Sequence, residues 1–160
     1  MKLNEEGGCF TRFLLLEKIM SINTVPASRV TPEKIERLGE REIFVFGSSL
    51  MGVHFGDAAR VAYDKFGAGG VSEGLKGSTY AIPVVRAGID MVKPHIEAFL
   101  SFARSHTEYR FFVTRIGCGI AGFTDEDIAP LFAVAVGMEH VTLPASFWEV
   151  LQRKGLYVPH

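Results

Sequence analysis

The stretch that most constrains this chain is Phe111-Phe112-Val113 running into Thr114-Arg115-Ile116-Gly117-Cys118-Gly119-Ile120-Ala121-Gly122-Phe123. An apolar segment feeds a loop with three glycines, and Thr124-Asp125-Glu126-Asp127 reads as the helix start that follows. Glycine has no Cβ and permits positive φ, so a ligand can touch bare backbone N–H groups. A loop of this kind between a strand and a helix suits a phosphate or diphosphate. The first expectation is therefore a nucleotide-like ligand.

The rest of the chain repeats the alternation. Thr31-Pro32-Glu33-Lys34 predicts a short helix, with Thr31 as N-cap and proline at the first helical position, ending near Leu38-Gly39. Residues 42–46 predict a strand, apolar enough to be covered on both faces, and Gly47-Ser48-Ser49 ends it. Residues 57–66 predict a helix with Ala58, Ala59, Ala62 and Phe66 on one side and Gly67 as its stop. Residues 67–77 contain five glycines and read as a long loop.

A short strand is expected over 78–83. An amphipathic helix is expected over 89–106, with Val92, Ile96, Phe99, Leu100 and Ala103 inward and Pro94 in its first turn. Residues 110–116 read as a strand. Residues 124–136 read as a helix whose Thr124 and Asp127 form a variant capping box. Residues 140–143 predict a last strand and 145–153 a last helix around Phe147, Trp148 and Leu151. Alternating strands and helices make the class α/β, with a largely parallel or mixed sheet and helices on both faces. In such sheets ligands bind beyond the carboxyl ends of the strands. Parallel neighbours would turn the loops at 47–56, 83–88 and 117–123 toward one crevice.

Composition narrows the partners. A length of 160 residues fits one domain. Lys plus Arg is 17 against 18 Asp plus Glu, so no basic excess serves a nucleic-acid backbone, and no dedicated nucleic-acid binding is expected. Cys9 and Cys118 make neither a disulfide scaffold nor a zinc site. No metal or cofactor is expected, and a reducing, cytoplasmic setting is. No apolar run approaches the ~20 residues of a membrane span. Phe13 to Leu16 is apolar, but Glu17 and Lys18 interrupt it and no small-residue cleavage site follows. Residues 1–19 carry little pattern and are expected to be a tail or extension before a single domain at 20–160.

Several residues invite chemistry. Gly117 to Gly122 formally matches G-x-G-x-x-G. A dinucleotide fingerprint, however, opens its helix at once, sits in the first βαβ unit and has an acidic residue ending the second strand. Here Thr124 delays the helix, the motif is late, and Glu139 precedes its strand. A phosphate-holding loop of another α/β family, or a structural glycine turn, fits better. The stretch from Gly47 through His54, Phe55, Gly56 and Asp57 to Ala58-Ala59 brings small residues to a helix start. There a phosphate meets free N–H groups and the positive dipole end, or strand and helix simply pack closely.

His54 is a candidate general base or a loop histidine bonded to backbone. Asp57 is a candidate ligand or catalytic contact, or a favourable first-turn carboxylate. Asp125, Glu126 and Asp127 read as acids that cap and complement their helix, or as catalytic groups. Cys118 is a low-pKa thiol or a small half-buried residue. Arg115 and Arg86 suit phosphate or a surface carboxylate. Phe55, Tyr80 and Phe123 suit stacking on a base or ribose, or the core.

These residues resemble a family. Ile116-Gly117-Cys118-Gly119-Ile120-Ala121-Gly122 is similar to the second phosphate loop of macrodomains, the ADP-ribose-binding modules. The likeness is nearest to the branch of terminal ADP-ribose glycohydrolases, whose loop reads Arg-Ile-Gly-Cys-Gly-Leu. Residues 56–67, with Ala58, Ala59, Lys65 and Phe66, resemble the first macrodomain loop and helix. Tyr80-Ala81-Ile82-Pro83 resembles the short strand between them. The chain also resembles a bacterial and phage group of unassigned role carrying Phe-Val-Phe-Gly-Ser-Asn-Leu; the matching residues here run from Phe44 to Leu50.

The resemblance implies a three-layer macrodomain-like fold and a cleft for ADP-ribose or a related NAD-derived nucleotide. Ser48, Ser49, Leu50 and Gly56, Asp57, Ala58, Ala59 would face the distal ribose and a phosphate. Arg115 and Gly117, Cys118, Gly119, Ile120, Ala121, Gly122, Phe123 would wrap the diphosphate. The segment from Tyr80 to Val84, with Ile82 and Pro83, would line the floor. Two departures count against hydrolysis. The branch's attacking lysine and its loop aspartate fall at Val84 and Ala121, neither of which can do covalent chemistry. Ser49 stands near a water-positioning asparagine of other branches.

The expectation is thus a binder of a small ADP-ribose-like nucleotide. The rivals are an ADP-ribosyl hydrolase or ADP-ribose phosphatase using Asp57 and His54, and a protein-interaction domain with a vestigial cleft and an exposed apolar patch at Phe147 and Trp148.

Overall fold

The computed structural model describes residues 25–49, 57–69, 73–85, 88–118 and 121–157. The expected tail at 1–19 lies outside them. A 3-10 turn at Ala27–Arg29 precedes strand β1, Glu42–Ser49. Then come helix α1 (Asp57–Phe66), strands β2 (Gly74–Lys76) and β3 (Thr79–Val85), helix α2 (Ile89–Ser105) and strand β4 (Arg110–Val113). A single helical turn α3 (Asp125–Ile128) leads into a 3-10 stretch, Ala129–Gly137, then strand β5 (Val141–Thr142) and helix α4 (Ala145–Arg153).

The five strands form one mixed sheet in the order β2-β3-β1-β4-β5. Only the edge strand β2 runs antiparallel, against β3; β3, β1, β4 and β5 are parallel neighbours. Side chains alternate across a strand, and the core divides accordingly. Phe44, Phe46 and Ala81 pack with Ala59, Ala62 and Phe66 of α1. Ile43, Val45, Tyr80, Ile82, Phe111 and Val113 pack with α2, the 3-10 stretch and α4. β1 is apolar on both sides because it is covered on both. In α2, Val92, Ile96, Phe99, Leu100 and Ala103 are buried, the helical spacing read from the sequence. Phe147 and Trp148 are fully buried, so the apolar patch imagined for them does not form. Among the described residues no helix is long and apolar enough to cross a membrane.

Four local expectations are corrected. The helix expected from Thr31 is absent, and residues 31–38 take no regular structure. The Thr31 hydroxyl, needed as a cap, is spent on Thr142 Oγ1 at 2.7 Å, and Thr31 N–H donates to the Leu143 carbonyl at 2.9 Å. A helix this short is marginal alone, so the tertiary bonds decide. The glycine-rich loop holds β2. Pro94 is the sixth residue of α2, not in its first turn. The long helix from Thr124 is four α-helical residues, then 3-10. Pro130 has no N–H to continue the α ladder, and its ring crowds the carbonyl four residues back. The capping box itself is present: Asp127 N–H donates to Thr124 Oγ1 at 3.2 Å, and Thr124 N–H to Asp127 Oδ2 at 3.1 Å.

Candidate functional site

The parallel run β3-β1-β4 brings three strand ends to one side. β1 ends at Gly47-Ser48-Ser49, with Ser48 in register with Pro83. Beyond β4, Thr114 extends the pairing: its N–H and its hydroxyl both reach the Val45 carbonyl, at 3.1 and 2.7 Å. The chain then turns at Ile116-Gly117.

Two glycines are required here by geometry. A Cβ on Gly47 would sit 2.7 Å from Val84 Cγ2. Gly117 has φ +78°, and a Cβ there would lie 3.1 Å from the Phe123 ring. Bare backbone lets the loop after β4 press against β1.

Between these ends lies a cavity of about 960 Å³, at the upper end of the roughly 300–1,000 Å³ of small-molecule sites. Gly47 and Val84 form its strand-end wall, with Thr114, Arg115, Ile116, Gly117 and Cys118 beside them. Ala58 and Ala59 from the first turn of α1 and Ser146 from the first turn of α4 close other sides. Ala121 and Asp125 complete the wall at the glycine loop.

Ser48, Ile82 and Pro83 are buried in the strands, and Ile82 belongs to the core. Ser49 is the last residue of β1 and Asp57 the first of α1. Gly122 is exposed at φ +84°, and Phe123 is half-buried against the core. Leu50, His54, Phe55, Gly56, Arg86, Gly119 and Ile120 lie outside the described residues. Tyr80 is buried among the rings of Phe99 and Phe102.

The loop satisfies part of its own backbone. Ile116 N–H donates to Thr114, Cys118 N–H to Arg115 and Phe123 N–H to Gly117. Among the described residues, the Gly117 and Ala121 amides have no such carbonyl acceptor.

A polar cluster lies in the wall. Arg115 donates to Asp125 from Nε at 3.1 Å and from Nη2 at 2.8 Å. Ser146 Oγ donates to Asp125 Oδ1 at 3.0 Å, and Cys118 Sγ is 3.5 Å from the same oxygen. Partial burial works to raise the Asp125 pKa. Hydrogen bonds from Arg115, Ser146 and Cys118 and the Arg115 charge outweigh it, so the carboxyl titrates below its ordinary range. Burial and then the Asp125 charge push the Cys118 thiol up to about 12. Cys118 is therefore a protonated thiol and not an activated one.

In the sequence Asp125 is a helix-start acid, capping or catalytic, and nothing marks Ser146 as its partner. An acid in a first helical turn carries no sign of which way it points, and Ser146 is 21 residues away. The one legible hint was Arg115, ten residues before Asp125. Comparison with family models, with curated proteins and with solved structures found no match. Among the described residues no group of His, Cys, Asp and Glu is arranged to hold a metal ion.

Proposed function

We propose that this chain binds ADP-ribose or a related NAD-derived nucleotide in the cavity at the strand ends, on a three-layer macrodomain-like architecture. The observation that carries the reading is the wall of that cavity. Gly47, Gly117, Ala58, Ala59 and Ala121, glycines and alanines from two strand ends and a helix start, line it, with one guanidinium among them. Bare amides beside a helix N-terminus and an arginine are what a diphosphate linker needs. The parallel core β3-β1-β4-β5, with helices packed on both sides of β1, supports the same architecture.

The reading is one of binding rather than turnover. Val84 is buried and apolar where the glycohydrolase-like pattern has its lysine, and Ala121 stands for its aspartate. Calorimetric titration with ADP-ribose, alongside a thermal melt, tests it. Saturable heat and a raised Tm are expected. No heat and no shift at millimolar ligand would remove the proposal.

A further inference from the structure

The Arg115–Asp125 pair occupies a place where an anionic ligand competes for one of its members. Arg115 turns its Nε–Nη2 edge to the carboxylate. A phosphate takes that same bidentate edge. The two partners are not held equally. Asp125 has two other donors, Ser146 Oγ and Cys118 Sγ. Its side chain is 22% exposed, against 57% for Arg115. Its neighbours Glu126 and Asp127 point elsewhere, to Arg153 and to the Thr124 cap. Asp125 is thus the fixed partner and Arg115 the one free to turn.

We propose that Asp125 is a specificity-determining competitor: it holds the Arg115 fork, and only a ligand carrying phosphate oxygens at that point displaces it. The inference rests on the binding reading above and adds the charge the ligand must carry. An ion pair this exposed contributes little, so exchange is easy for a diphosphate, which offers the same two-oxygen edge. A neutral ligand offers nothing for the exchange. After exchange Asp125 keeps its hydrogen bonds from Ser146 and Cys118. Its removal therefore has the opposite sign to the loss of a ligand contact.

The test is calorimetry with inorganic pyrophosphate and with ADP-ribose on the wild type, Asp125→Asn, Arg115→Ala and the double variant. Asp125→Asn is expected to bind pyrophosphate about threefold to tenfold more tightly, since it frees an exposed fork. Arg115→Ala is expected to bind more weakly, and the double variant to match Arg115→Ala. Unchanged or weaker binding by Asp125→Asn overturns the proposal.

If Asp125→Asn does not fold, the Arg115 Nε–H resonance of the wild type decides. It is expected to shift as pyrophosphate is added, and an unmoved resonance overturns the proposal. ADP-ribose binding without the Asp125→Asn gain sinks this inference alone. The pyrophosphate pattern without ADP-ribose binding sinks the nucleotide reading alone. No binding of either compound by any variant sinks both.

Discussion

Arg29 and Trp148 hold one another twice. The guanidinium carbon lies 5.2 Å from the indole centroid, and the indole Nε1–H donates to the Arg29 carbonyl at 3.0 Å. The same guanidinium donates to the carbonyls of Val141, Ala135 and Val136, at 3.2, 2.9 and 3.3 Å. Burial lowers its pKa from the usual arginine range. A planar fork ends the 3-10 stretch, where a point charge serves less well. Arg29→Lys is expected to lose about 1–2 kcal/mol, and Trp148→Phe about 1–3 kcal/mol through one lost hydrogen bond and a smaller ring, the Arg29 carbonyl keeping the Leu143 N–H. Urea unfolding measures both, and unchanged midpoints would contradict the account.

Gly117 and Gly122 separate strain from crowding. Both have positive φ, +78° and +84°. A Cβ at Gly117 meets Phe123 at 3.1 Å and Ile128 at 3.3 Å, whereas nothing among the described residues lies within 4 Å of one at Gly122. Gly122→Ala is expected to cost about 1 kcal/mol from backbone strain alone. Gly117→Ala is expected to cost about 1–3 kcal/mol more, because the ring and the isoleucine must move. Thermal melts of the two variants give the order, and equal losses would refute it.

Cys118 is expected to resist alkylation. With its thiol pushed up to about 12, against about 8.5 for a free cysteine, little thiolate exists near pH 8.5. Iodoacetamide labelling in the native protein, read by peptide mass, is expected to be about a hundredfold or more slower than in urea. Labelling at equal rates would refute the half-buried, acid-adjacent thiol.

The reach of the sequence is clearest where structure is local. The α1 and α4 bounds follow from apolar spacing, with Gly67 as the stop of α1, and the Thr124 box is a matter of three residues. Thr31 shows the limit. Its Thr-Pro-Glu pattern satisfies every local rule for a helix start, yet Thr142, 111 residues on, takes the hydroxyl. The helix expected over 124–136 runs through Pro130, where the α ladder in fact stops. At the site, Gly47 and Gly117 were legible because close approach and positive φ leave few choices of residue. Asp125 was not, because its direction depends on Ser146 and Arg115 meeting it in space.

Asp125 also sets an acid limit. Its folded carboxyl titrates below its ordinary range, so its contribution is fully present above the unfolded value of about 4 and is lost as pH falls through the folded one. The stability difference between wild type and Asp125→Asn is expected to be constant above about pH 5 and to shrink below about pH 4. Urea midpoints across that range measure it, and a difference that grows in acid would refute the ion pair.

The bridge between Val30 and Leu143 has a consequence for biosynthesis. A ribosome delivers Val30 long before the strand it must join. Closing so wide a circuit costs only logarithmically in length, but it delays completion of the sheet. A nascent chain that has emerged only through β4 has the parallel trio in hand while Val25 and Val30 still face water. Translation must reach Leu143 before the early segment has anything to zip onto.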